Sequence, residues 1–212
     1  MTVQRYALMA AGIALFALAC ITGPARAMPV QPSPGIPSSV VRVQANDQAQ
    51  IYLLRGLANV FSRGMDQMGA RLSGYGYVPV VMNHRGWQNA ADTIARNYNA
   101  GRRAPVIIIG HSLGGNAAFQ MAQRLQGKNI PVAYLVTFDP TRTFTVPANV
   151  RYFSNFYQNN GQGRAAIIPA QRGDQKSNVN LTSSPGVTHT NIDQSDRLQT
   201  IVIGRILYLA PR

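Results

Sequence analysis

The sequence contains no glutamate, and its seven acidic residues are all aspartates set against twenty lysines and arginines, a formal net charge of +13. Any carboxylate used in chemistry is therefore an aspartate. There is one cysteine, Cys20, so no disulfide can form within the chain. If the segment holding Cys20 is removed, thiol and zinc-thiolate chemistry go with it. Only three histidines occur, at the widely separated positions 84, 111 and 189, and no H-E-x-x-H or similar metal-ligand spacing exists. No metal and no cofactor are expected. The chain also lacks an apolar run of the roughly 20 residues needed to span a bilayer. Its one long apolar stretch, Tyr6 to about Ile21, is too short and is followed by Gly23 and Pro24. With Arg5 before it and Ala25-Arg26-Ala27 after it, residues 1–27 read as a signal peptide cleaved before Met28, which predicts a periplasmic or secreted protein. Lipidation at Cys20 is the alternative fate of this segment.

The positive charge is almost all arginine. Two units, Arg5 and Arg26, leave with the signal segment, and the rest are scattered from Arg42 to Arg212. Without interleaved aromatic and basic residues this distribution argues against a nucleic-acid partner and suits an anionic envelope surface. Residues 29–39, rich in proline and serine, read as an extended leader. The body, 40–212, has 46% hydrophobic residues chain-wide to draw on and reads as one domain.

Within that body, strand and helix signals alternate. Expected strands are Val40–Val43, Gln50–Leu54, Val78–Met82, the run starting at Val106, Val132–Phe138 and Asn149–Phe156. Expected helices are Gly64–Leu72, Trp87–Asn99, Asn116–Leu125 and Asn191–Leu207. Strands apolar on both faces and separated by helices predict a mostly parallel sheet covered on both sides. Gln158 to Pro185, long, polar and glycine-bearing, reads as a surface excursion.

The most informative decapeptide is Val106-Ile-Ile-Ile-Gly-His-Ser-Leu-Gly-Gly115. A β-branched run ends at a glycine-flanked serine and passes into a helix-prone segment, the strand–turn–helix context of a nucleophile elbow. Gly110 and Gly114 keep the surroundings of Ser112 small. A serine hydroxyl needs an imidazole to take its proton and a carboxylate to orient that imidazole. In sheets of this kind both follow the serine on loops at the carboxyl ends of strands. Only His189 follows Ser112, in a loop ahead of the last helix. Asp139, closing the strand Val132–Phe138, ranks first among the acids, although Pro140 gives it a plain turn role as well. Asp174 is a second candidate, while Asp193 and Asp196 are accounted for by the N-terminal dipole of the final helix.

For the oxyanion, the amide of Leu113 is one expected donor and that of Gly56 or Leu57, after an earlier strand, the other. His111 is expected to pack or to line the pocket wall. His84 and Trp87 are placed near the pocket, with Trp87 a substrate contact, and Arg55 is a candidate for binding an anionic substrate group.

From Gln50 to Leu207 the chain resembles the α/β-hydrolase superfamily, in particular its small lipase- and esterase-like members. The resemblance rests on the Gly-His-Ser-Leu-Gly-Gly elbow, Asp139 after the next strand and His189 before a closing helix. It implies a three-layer α/β fold and an esterase that works through an acyl-enzyme on Ser112. Two departures accompany it: the acid lies one strand earlier than most members place it, and no cap domain is inserted, which implies an open site for an exposed or lipid-like ester. Thioesters and acyl transfer use the same constellation. The rival reading is a non-catalytic basic binding protein that keeps this scaffold to hold an anionic envelope component.

Overall fold

A computed structural model of the chain describes residues 48–57, 63–170 and 175–212. The expected signal segment with Cys20, the expected leader and strand Val40–Val43, and Asp174 lie outside the described residues.

Among the described residues six strands form one sheet: β1 (Gln50–Arg55), β2 (Val80–Asn83), β3 (Val106–His111), β4 (Val132–Phe138), β5 (Val150–Tyr157) and β6 (Lys176–Asn180). Their spatial order is β2-β1-β3-β4-β5-β6, and every pairing is parallel. Parallel neighbours need crossovers, supplied here by helices α1 (Arg63–Gly74), α2 (Trp87–Asn99) and α3 (Leu113–Gln126). A last helix, α4 (Asp196–Leu209), closes the chain.

The period-2 alternation of side chains divides the apolar strand residues between two cores. Tyr52, Leu54, Val106, Ile108, Leu135 and Phe153 face α2 and α3 and pack on Ile94, Phe119 and Met121. Ile51, Leu53, Ile107, Ile109, Tyr134 and Val136 face α1 and α4 and pack on Met65, Leu72, Val202 and Ile206. All six residues of β3 are buried, which is why its sequence shows no polar alternation. The result is the three-layer sandwich expected from the sequence.

Four elements differ from the sequence reading. Strand β2 starts at Val80 rather than Val78, as an edge strand whose neighbour Val78 is exposed. The helix after the serine starts at Leu113, three residues earlier than expected, because the turn is tighter than the helix-forming signal of Asn116–Leu125 shows. The excursion after Gln158 holds a strand, β6. Its sequence, Lys-Ser-Asn-Val-Asn, has no hydrophobic period because its side chains hold the excursion by hydrogen bonds instead. Asn178 accepts from Ala166 N–H (3.0 Å) and Asn155 Nδ2 (2.9 Å), and its Nδ2 donates to Ala166 O (2.8 Å). Finally, residues 192–194 form a separate 3-10 turn, and α4 begins only at Asp196.

The sharpest feature is the junction of β3 and α3. Ser112 has φ 57° and ψ −121°, a left-handed backbone that a β-carbon makes costly. Its neighbours permit the turn by lacking side chains. A β-carbon on Gly110 would lie 2.1 Å from Gly114 O, and one on Gly114 would lie 2.0 Å from Leu54 O. Both obstacles are backbone atoms that cannot swing aside. Gly114→Ala is therefore expected to lose at least the ~1–3 kcal/mol of ordinary overpacking, seen as a lower urea midpoint at unchanged m-value. A wild-type midpoint in this variant would contradict the packing described.

Candidate active site

The sheet ladder positions the chemical groups before any side chain takes part. Beyond the end of β3, Ser112 N–H donates to Phe138 O of β4 (2.9 Å). One strand over, Asp139 N–H donates to Phe156 O of β5 (2.8 Å). Serine and aspartate thus stand on adjacent strand ends at the carboxyl rim, each held by the strand beyond. Asp139, like Ser112, has positive φ (47°), which turns its carboxylate back over the rim.

His189 reaches this rim from the loop before α4. Asn191 shapes that loop, accepting from Thr188 N–H (2.7 Å) and donating through Nδ2 to Gly186 O (2.9 Å). His189 Nε2 lies 2.9 Å from Ser112 Oγ, and Nδ1 lies 3.1 Å from Asp139 Oδ2. The ring's tautomer follows from its partners: a carboxylate only accepts, so Nδ1 carries the proton and Nε2 is free to accept from the hydroxyl. Asp139 is fully buried, and its other oxygen, Oδ1, accepts from Gln158 N–H at 2.6 Å. Gln158 also donates from Nε2 to Val187 O (2.8 Å), tying the acid's strand end to the histidine's loop. This residue was missed in the sequence, although it follows β5 just as Ser112 follows β3 and Asp139 follows β4.

The Thioesterase domain family model matches residues 58–152, a span that includes β3, Ser112 and Asp139. Over those residues the chain is similar to thioesterase domains, and its parallel sheet with helices on both faces is α/β-hydrolase-like. Similar solved structures include a putative α/β-superfamily hydrolase from Xanthomonas campestris (16% identity, 74% of this chain and 99% of that one, TM-score 0.44). A cutinase-like protein from Cryptococcus sp. is 15% identical over 76% of this chain and 94% of its own, with a TM-score of 0.40. The type II thioesterase BorB of the borrelidin biosynthetic cluster is 11% identical over 75% and 93%, with a TM-score of 0.42. No curated protein sequence matches significantly.

The other expected site residues fall in different places. Leu113 opens α3, where the first amides have no partner within the helix and the positive end of the dipole favours a developing anion. Gly56 is buried beside the elbow, and its carbonyl accepts from His84 Nδ1 (3.1 Å). Leu57 is 58% exposed. Trp87 and His84 line a cleft of about 420 Å³ that begins at Leu113 and is bounded by Arg85, Asn116, Thr141 and Arg142. Arg55, the candidate for an anionic substrate group, has its guanidinium in a bidentate pair with Asp66 of α1, with Nε at 2.9 Å from Oδ2. The first turn of α1 crosses the end of β1 and supplies that acid. Among the described residues no three side chains of metal-ligating type are gathered.

Of the two roles expected for His111, packing or lining the pocket wall, the structure shows packing. The histidine is 1% exposed, lies behind the rim and contributes nothing to the cleft wall, because β3 is buried to its last residue. Its Nε2–H donates to the backbone carbonyl of His189 (2.7 Å), bracing the loop that carries the second histidine. Its Nδ1 faces Asp193 Oδ2 at 3.7 Å, beyond hydrogen-bond reach. Asp193 is not where its sequence role put it. It belongs to the 3-10 turn and packs against the start of α1, not α4, so close that a β-carbon on Gly64 would sit 2.6 Å from its Cγ. Asp196 does occupy the first turn of α4 and meets Arg71 at 3.3 Å.

Burial disfavours the charged form of both members of this inner pair. It pushes the His111 imidazole down to about 4, against a smaller opposing effect of the hydrogen bond to His189, and it pushes the Asp193 carboxyl up to about 7. The linkages have opposite sign. A lowered histidine makes stability rise with pH between about 4 and about 6.5, whereas a raised aspartate makes it fall between about 4 and about 7. In the native protein they largely cancel. Asp193→Asn is expected to unmask the histidine, with stability rising from pH 4.5 to 6.5 relative to wild type, and His111→Gln to unmask the aspartate, with stability falling. Each slope is at most ~1.4 kcal/mol per pH unit, measured by urea unfolding at several pH values. Slopes of the same sign in the two variants would refute the opposed titration.

Proposed function

We propose that this protein is a serine hydrolase cleaving carboxylic esters or thioesters through an acyl-enzyme on Ser112. The observation that carries the reading is the unbroken hydrogen-bonded chain Ser112 Oγ, His189 Nε2, His189 Nδ1, Asp139 Oδ2 at the apex of a strained elbow. Supporting it are the match to the Thioesterase domain family and the superfamily's use of such elbows.

In this mechanism His189 Nε2 removes the Ser112 proton as Oγ attacks the acyl carbon, and the new positive charge on the ring is stabilised by buried Asp139. The Leu113 amide, and that of Gly56 or Leu57, hold the oxyanion. Protonated His189 then donates to the leaving alcohol or thiol. Water, activated by the same imidazole, releases the acid. The strain at Ser112 is part of this arrangement, since it holds Oγ clear of the sheet without a reorganisation cost during the reaction.

Export, with work in a periplasmic or extracellular space, accompanies the proposal on the strength of residues 1–27 alone. The high positive charge fits a location near anionic envelope surfaces, with no nucleic-acid partner.

Purified protein is expected to react with a fluorophosphonate probe and to hydrolyse p-nitrophenyl esters, both abolished in Ser112→Ala. Asp139→Asn should lower kcat by about 10⁴-fold at nearly unchanged KM, because the amide can present a donor to Nδ1 and favour the wrong tautomer. Labelling of folded Ser112→Ala equal to wild type, or full activity in Asp139→Asn, would overturn the proposal.

A further inference from the structure

The cleft that opens at Leu113 is lined by two arginines and no acid. Arg85 and Arg142 both line it, together with Trp87 and His84. These guanidinium groups are uncommitted, unlike those of several other arginines. Arg55 is paired with Asp66, Arg71 with Asp196 and Arg124 with Asp92, whereas Arg85 and Arg142 make no ion pair and no side-chain hydrogen bond among the described residues. Their backbones, by contrast, are fixed. Arg85 N–H donates to Asn83 Oδ1 (2.9 Å) in the 3-10 turn after β2. Arg142 N–H donates to Asn116 Oδ1 (3.2 Å), and Asn116 Nδ2 donates to Thr141 Oγ1 (2.7 Å), which clamps residues 141–142 to the elbow helix itself.

We infer that this cleft selects substrates bearing an anionic group, a carboxylate or a phosphate, held between Arg85 and Arg142 while the adjoining apolar part lies on Trp87. The inference rests on the proposed hydrolase reading and names its substrate class. Arginine suits this role because its planar fork of donors matches both carboxylate and phosphate, and because its charge persists at every working pH. The neighbourhood amplifies the effect, since a cleft walled by one sign of charge focuses the field and draws in ions of the other. The shared chemistry is a small oxyanion. It can belong to the acyl half, as in a monoester of a dicarboxylic acid, or to the leaving group, as in a phosphate-bearing thioester.

Two measurements test this. In the first, kcat/KM is compared for p-nitrophenyl hemisuccinate, for acetyl-coenzyme A and for neutral p-nitrophenyl butyrate. At least one anionic substrate is expected to lose about tenfold or more in the double variant Arg85→Gln/Arg142→Gln relative to the neutral one, and which one loses tells the acyl half from the leaving group. The control, Lys128→Gln/Arg197→Gln, removes two exposed charges from other surfaces and should leave that ratio as in wild type, separating the cleft from the overall positive field. Raising salt should erode the preference, given a screening length of about 8 Å at physiological ionic strength.

The second measurement needs no turnover. Trp87 is the only tryptophan, so its fluorescence reports on the cleft directly. Titration of Ser112→Ala with 4-phenylbutyrate, phenyl phosphate and 4-phenylbutyramide is expected to show one or both anions binding at least tenfold tighter than the amide, an advantage absent after Arg85→Gln/Arg142→Gln. If the amide binds as well as both anions, or if the double variant keeps the preference, the inference fails. If the anions bind selectively while no ester is hydrolysed and Ser112 takes no fluorophosphonate, the anion site stands and the hydrolase reading is what fails.

Discussion

The close approach of α3 to the sheet is the constraint on which the site depends. For the helix to start at Leu113, directly after the strand, Ser112 has to occupy a left-handed backbone conformation, and residues 110 and 114 have to leave the backbone of Leu54 and of the helix unobstructed. Once that junction is made, the serine hydroxyl, the first amides of α3 and the cleft beside Leu113 acquire their places together. The two apolar cores stabilise the junction from either side, since β3 contributes Ile108 to one and Ile107 and Ile109 to the other. Strain at one residue is thereby held by burial spread over many.

Behind the reacting groups lies a second set of polar side chains that hold backbone in place. Gln158 links the acid's strand end to the histidine's loop, and His111 holds the carbonyl of His189. A loop histidine is otherwise poorly fixed, because a segment of turns offers no ladder of its own. The buried His111 achieves this while burial disfavours its charged form, since a charge in so dry a place would carry a large desolvation cost. Hydrogen bonds from buried neutral groups thus orient the one imidazole that has contact with both Ser112 and Asp139.

The arginines divide into two populations. Some are held by the few aspartates, as Arg55 is by Asp66 and Arg124 by Asp92, and these join helices to the sheet or to each other. Others face solvent, and two of these border the cleft at the elbow. A composition so poor in acid leaves most guanidinium groups without an acidic partner, and the tertiary fold decides which of them border the cleft at the elbow.

By itself the sequence determined the elements whose apolar pattern is strong and local. Strands β1, β3 and β4, the parallel three-layer arrangement and the elbow at Ser112 follow from β-branched runs and a glycine-flanked turn, signals contained within a dozen residues. Elimination went far as well, because one histidine and few aspartates follow the serine. Only the tertiary structure decided what depends on neighbours distant in sequence: that Arg55 is taken by Asp66, that His111 turns inward to the His189 loop, that Asp193 meets α1 and not α4, and that the polar segment Lys176–Asn180 is a strand. The reason is physical. Hydrophobic periodicity records which face of an element is buried, whereas the partner of a polar side chain is set by which strand ends and loops the folded sheet brings to the same rim.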